Sequence, residues 1–174
     1  MPFANQGRLL RVSEGTARET VLWAEGVSLE RDTGRSLDEL RDRAASDRLL
    51  LAVACAKRAA VMMGLAPPHN RDAVSRAYYA MYHAWRALAL YTSGGDDFQE
   101  HKKLPDFEPP GFENVALWQN ALKEAREARN RSDYQPYPKA ESAWRGEAEE
   151  RFAQATELVR LCRAYLREKG CRYV

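Results

Sequence analysis

The chain has 174 residues, 45% of them hydrophobic, with 27 Lys and Arg against 25 Asp and Glu for a net charge of +2. That length supports one domain with one core, and the composition is that of a globular protein. A near-neutral balance is not that of a strongly basic nucleic-acid-binding domain and leaves room only for a local basic groove. Cys55, Cys162 and Cys171 make an odd set without metal-ligand spacing, which reads as reduced thiols. The longest apolar run, residues 49–65, is interrupted by Lys57 and Arg58 and is too short and too charged to span a bilayer. With no signal-peptide pattern at the amino terminus, the expectation is a cytoplasmic protein with no membrane partner.

In chain order, residues 1–35 form an amino-terminal extension. Residues 16–23 read as a short helix, or residues 20–30 as two strands turning at Glu25-Gly26, and residues 32–35 (Asp-Thr-Gly-Arg) as a turn. Ser36-Leu-Asp-Glu39 has the form of a capping box. The helix after it carries the stripe Leu37, Leu40, Ala44, Leu51, Ala54, Cys55, Met62 and Leu65, and is expected to end near Gly64, before Pro67-Pro68. Asn70 is expected to cap the next helix, which stops at Ser93-Gly94-Gly95.

Residues 94–111 form a long connection, with a short helical turn expected at 101–104, and a loop of this length is usually functional or mobile. A further helix is expected over 112–131 with the apolar face Val115, Trp118, Ala121, Leu122 and Ala125. Continued by two turns, that face meets Arg129 and Asp133, which must pair or form a site if they point inward. After Pro136 and Pro138 the last helix, 139–169, places Trp144, Ala148, Phe152, Ala155, Val159, Cys162 and Leu166 on one face. The expected fold is therefore all-α, an up-and-down bundle of four to five helices over residues 36–170.

Residues 72–91 hold no Gly or Pro and repeat small and apolar residues at helical spacing. Ala77, Ala80, Met81, Ala84, Leu88 and Tyr91 share one face, with Tyr78, Tyr82, Trp85 and Ala89 beside it. Arg76, Tyr79, His83 and Arg86 fall on a narrow third stripe, which must face water, a partner chain or a polar pocket.

Ser75-Arg-Ala-Tyr-Tyr-Ala-Met-Tyr-His-Ala84 resembles the core-helix signature of HEPN domains, the small helical domains of prokaryotic toxin and defence systems. Arg129-Asn-Arg-Ser-Asp-Tyr134 is similar to that family's Arg and Asp-Tyr element, in the same order along the chain. The resemblance implies a helical bundle without cofactor or metal. It also implies a homodimer, or a complex with a cognate partner such as a nucleotidyltransferase-like antitoxin, with the site in the cleft between subunits. Many HEPN ribonucleases place a His a few residues after an Arg and cleave RNA there without metal. This chain departs from that pattern, since no His follows Arg129 or Arg131 before Tyr134 and Tyr137. Arg76 and His83 reproduce the spacing on the other signature helix.

Two functional readings stay open at this point. In one, the protein is a toxin or defence component acting on RNA as a metal-independent endoribonuclease. Its catalytic group is Arg76, His83, Arg131 and Asp133, with Tyr79, Arg86, Arg129 and Tyr134 holding the nucleic acid or nucleotide. In the other it is a non-catalytic module that dimerises and binds a nucleotide or a partner protein. There His83 is hydrogen-bonded at an interface, and Asp133 pairs with Arg76 or Arg129 to lock two helices. Both expect Asp133 to be buried. Tyr78, Tyr82, Trp85 and Trp118 are expected in the core, and His101, Lys102 and Lys103 in a solvated loop.

Overall fold

The computed structural model describes residues 6–9, 19–95 and 98–174, and only the backbone of 19–24. Its helices are α1 (Glu19–Thr33), α2 (Leu37–Met63), α3 (Asn70–Ser93), α4 (Val115–Tyr134) and α5 (Arg145–Glu168). Two 3-10 turns, Leu104–Asp106 and Glu141–Trp144, precede α4 and α5. No strand occurs among the described residues, as the all-α expectation requires, and no helix among them is long and apolar enough to cross a membrane.

The bundle is built around α3, which packs against α2, α4 and α5. Its alanines at 73, 77, 80, 84, 87 and 89 are fully buried, as are Val74, Met81, Trp85 and Leu88. A helix that is apolar almost all round belongs inside, and side chains this small let neighbouring helices approach closely. Tyr78, Tyr82, Trp85 and Trp118 are all core residues, as expected. Trp85 meets Phe112 edge-on at 5.1 Å, and Phe112 meets Tyr165 at 5.5 Å.

Local signals set most boundaries. Ser36 Oγ accepts the Glu39 N–H at 3.2 Å and starts α2. Gly94, at φ 70°, closes α3 with its N–H on the Leu90 carbonyl. Three expectations are corrected. First, the strand alternative for residues 20–30 gives way to α1, while residues 16–18 of the helical alternative lie outside the described residues. Gly26 sits inside α1, where a Cβ would lie 2.8 Å from Leu37 Cδ2 and that side-chain end would have to shift. Second, Asn70 does not cap α3; the cap is His69, and the Asn70 amide donates instead to the Glu141 carbonyl at 2.9 Å.

Third, the buried face of α2 runs through Ala45, Leu49, Ala52, Cys55 and Ala59, whereas Leu51 and Leu65 are exposed. The run Leu49-Leu50-Leu51 has apolar residues on every side, so periodicity cannot fix its phase there. Leu40 and Ala44 form a separate small cluster with Leu9, Leu29 and Leu90, where α1 meets α2 and α3.

Two features position the candidate functional face. Arg71 caps the end of α4, its Nε and Nη2 donating to the Ser132 carbonyl at 2.9 and 2.6 Å and Nη2 also to Gln135 at 2.5 Å. The connection before α4 lies against the core through buried Leu104 and Phe107 and the Tyr165 hydroxyl on the Pro110 carbonyl at 2.9 Å. The indole N–H of Trp85 is buried without a hydrogen-bond partner. Trp85→Ala should therefore cost about 3–5 kcal/mol by urea denaturation, with Trp85→Phe far milder because no hydrogen bond is lost. A loss below about 1 kcal/mol for the alanine variant would contradict this packing.

Candidate functional site

The polar stripe of α3 lies where its wheel places it, partly covered by α4 and by the connection before it. Arg76 stands 5.1 Å over the Tyr79 ring and has no carboxylate partner among the described residues. The Tyr79 hydroxyl accepts Arg129 Nη2 at 2.7 Å, and that guanidinium also lies 5.4 Å over the Tyr79 ring. His83 stacks on Tyr79 at 6.2 Å and meets Tyr82 edge-on at 5.0 Å. Its Nδ1 is buried without a hydrogen-bond partner. Arg86 is buried and donates to the Tyr82 hydroxyl at 3.2 Å.

His101 completes the cluster from the connection. Its ring stacks 4.2 Å from Tyr82, and Nδ1 lies 2.6 Å from the Tyr78 hydroxyl. The Tyr82 hydroxyl donates to the neighbouring Gln99 carbonyl. Arg126 Nη1 donates to the His101 carbonyl at 3.2 Å and has no carboxylate partner among the described residues. His101, Lys102 and Lys103 are all exposed, as expected, but the His101 ring also packs on Tyr82 and so joins the site. The one available signal was indirect: Tyr78 and Tyr82 sit on a core helix, and buried hydroxyls need partners.

Electrostatics gives the cluster its character. Burial pushes the His83 pKa down to about 4, and the nearby Arg48, Arg86 and His101 push the same way. His101 is lowered too, first by burial and then by Arg129, Arg86 and Arg126. Burial raises the Tyr78 hydroxyl, so it keeps its proton. Both imidazoles are therefore neutral at pH 7, and the charges that shift them are positive. Such a site favours an anion.

The second signature element is only partly in this cluster. Asp133 lies 2.8 Å from Arg129 Nε, an ionic contact one helical turn apart. Ser75 Oγ reaches the same carboxylate at 3.5 Å. Of the pairings expected, Arg129–Asp133 forms and Arg76–Asp133 does not. The expected burial of Asp133 is corrected: the residue is exposed, because it lies on the outer side of the last turn of α4, whose inner side is taken by buried Ser132. Arg131 is corrected as well. Two positions along the helix turn it away from Arg129, and its Nη2 pairs with Glu147 on α5 at 2.9 Å. Tyr134 is 72% exposed, with the Arg129 guanidinium 5.5 Å over its ring.

Cys55, Cys162 and Cys171 are free and buried, and burial raises each thiol. No group of three or more His, Cys, Asp or Glu among the described residues is arranged to hold a metal ion. No protein-family model matches the chain, and no match was found among curated proteins or solved structures.

A histidine held neutral by burial must charge on unfolding in acid. With a pKa of about 4 folded against 6.5 for an ordinary His, the unfolded chain holds more protons between those values. Stability from this group is complete above 6.5 and is lost as pH falls towards 4. His83→Gln should remove that part of the pH dependence. The difference in urea midpoint between wild type and variant is expected to change between pH 7 and pH 4.5, with wild type losing more. Parallel pH profiles would contradict the assigned burial.

Proposed function

We propose that the chain is a HEPN-type module that binds RNA by its phosphate backbone at the half-buried stripe of α3 and cleaves it without a metal. One observation carries this reading: a tyrosine-rich face holds two neutral-held histidines together with two guanidinium groups free of carboxylates among the described residues, Arg76 over the Tyr79 ring and Arg126 on the His101 carbonyl. Guanidinium groups suit phosphate oxygens, and aromatic rings beside them suit unpaired bases. The signature of α3 and the Arg129–Tyr134 element support the family assignment.

His101 is the acid–base group in this proposal, in place of the His that the family carries after its Arg. Tyr78 fixes the ring at Nδ1, leaving Nε2 without a partner among the described residues. In the tautomer with Nδ1–H directed at the tyrosine oxygen, Nε2 presents a lone pair to a 2′-hydroxyl. That oxygen attacks the adjacent phosphorus, its proton passes to Nε2, and the P–O5′ bond breaks to a cyclic phosphate. O5′ leaves as a hydroxyl after protonation by solvent. Arg76 and Arg126 hold the charge that develops on the phosphate oxygens. In the other tautomer Nε2–H donates to a phosphate oxygen, which is binding without cleavage.

A non-catalytic module that dimerises and binds a nucleotide or a cognate partner is the second reading. The sealed Nδ1 of His83 favours it, since an atom without access cannot exchange protons with a substrate. A mixed tRNA and mRNA pool incubated with the protein in EDTA separates the two. Cleavage is expected, reduced about 10²-fold or more in His101→Ala and unchanged in Arg131→Ala, whose side chain is occupied by Glu147. RNA retained in an Arg76-dependent way but not cut would contradict the cleavage step and leave RNA binding alone. RNA neither held nor cut would contradict RNA as the ligand.

A further inference from the structure

A groove of about 360 Å³ runs between α2 and α5 and shares no residue with the tyrosine–histidine face. Its floor is Ala56 and Ala60 from α2 with Phe152 and Val159 from α5. These positions recur at helical spacing on both sides, so the groove follows the helix axes. Small alanines along one wall leave room for the larger side chains of a third helix. The apolar surface continues past the groove, because Val61, one turn after Lys57 on α2, and Leu65, just beyond the end of that helix, are 62% and 47% exposed. Large apolar side chains left in water along one row mark an interaction surface.

The rim decides the occupant. Lys57 and Arg163 border the groove, and neither has a carboxylate partner among the described residues. Arg160 beside them is already matched by Glu157 at 2.6 and 2.8 Å. A second copy docked groove to groove would bring these unmatched cations together. An acidic partner would neutralise them.

We propose that this groove receives an amphipathic helix of a partner protein, with an apolar stripe on the floor and Glu or Asp on its flanks. This is helix-in-groove recognition, read as apolar anchors at i, i+3, i+4 and i+7. The rim cations select the partner by charge, and the floor supplies the buried area. The inference does not depend on RNA binding at the other face.

The probes are two fluorescent helical peptides with the same leucine stripe, one flanked by glutamate and one by lysine, and phosphatidylserine vesicles. The glutamate peptide should bind about tenfold more tightly than the lysine peptide, the scale of two exposed ion pairs. The double variant Lys57→Glu, Arg163→Glu should reverse that order. Ala60→Arg, a change at an exposed position of α2, should abolish binding of both peptides without shifting the melting temperature. Equal binding of the two peptides, binding that survives Ala60→Arg, or no binding of either would overturn the proposal. So would vesicle binding lost in these variants in the absence of peptide binding, which would identify the surface as a lipid site.

Discussion

Close packing of α3 on three neighbours is the constraint on which the rest of the structure depends. Its alanines let α2, α4 and α5 approach until the helix is buried on nearly every side. Polar groups on such a helix must then find partners or collect on whatever surface stays open. Tyr78 and Tyr82 take the first course, drawing His101 and Gln99 of the following connection onto the helix. Arg76, Tyr79 and His83 take the second. One packing decision thus folds the long connection inward and creates the candidate functional face.

That face is electrically one-sided. Burial keeps two imidazoles neutral, and the guanidinium groups around them reinforce the effect. Asp133 neutralises Arg129, while Arg76 and Arg126 keep their charge uncompensated by any described carboxylate. A ligand carrying phosphates would supply the missing charge and at the same time make protonation of the imidazoles easier. Binding of such a ligand would therefore couple to the acid–base state of the histidines. The overall charge of +2 conceals it, since acidic residues elsewhere balance the count.

Much of this was legible in the residues alone. The wheel of α3 placed Arg76, Tyr79, His83 and Arg86 together because one helix carries them all, and local geometry needs no tertiary knowledge. The apolar face of α4 led correctly to the Arg129–Asp133 pair for the same reason. What failed needed information from other segments. The last turn of α4, which puts Asp133 on its outer side and Arg131 against Glu147, is fixed by Arg71 capping its end from another helix. That the exposed His101 also meets Tyr78 and Tyr82 was hidden because those partners lie some twenty positions earlier in the chain. The phase of α2 was lost in a run of leucines. The family resemblance pointed to a catalytic histidine on α4 that this chain lacks, and the proposed mechanism assigns that role to His101.

The measurement closest to the central claim is a titration of the His83 and His101 imidazole signals by NMR, with and without a short RNA oligonucleotide. The account predicts that both rings are neutral at pH 7 in the free protein, with His83 titrating near 4. It also predicts that the oligonucleotide shifts the His101 signals and raises its midpoint. Free-protein midpoints near the ordinary value of 6.5, or an oligonucleotide that leaves both imidazoles untouched, would contradict it.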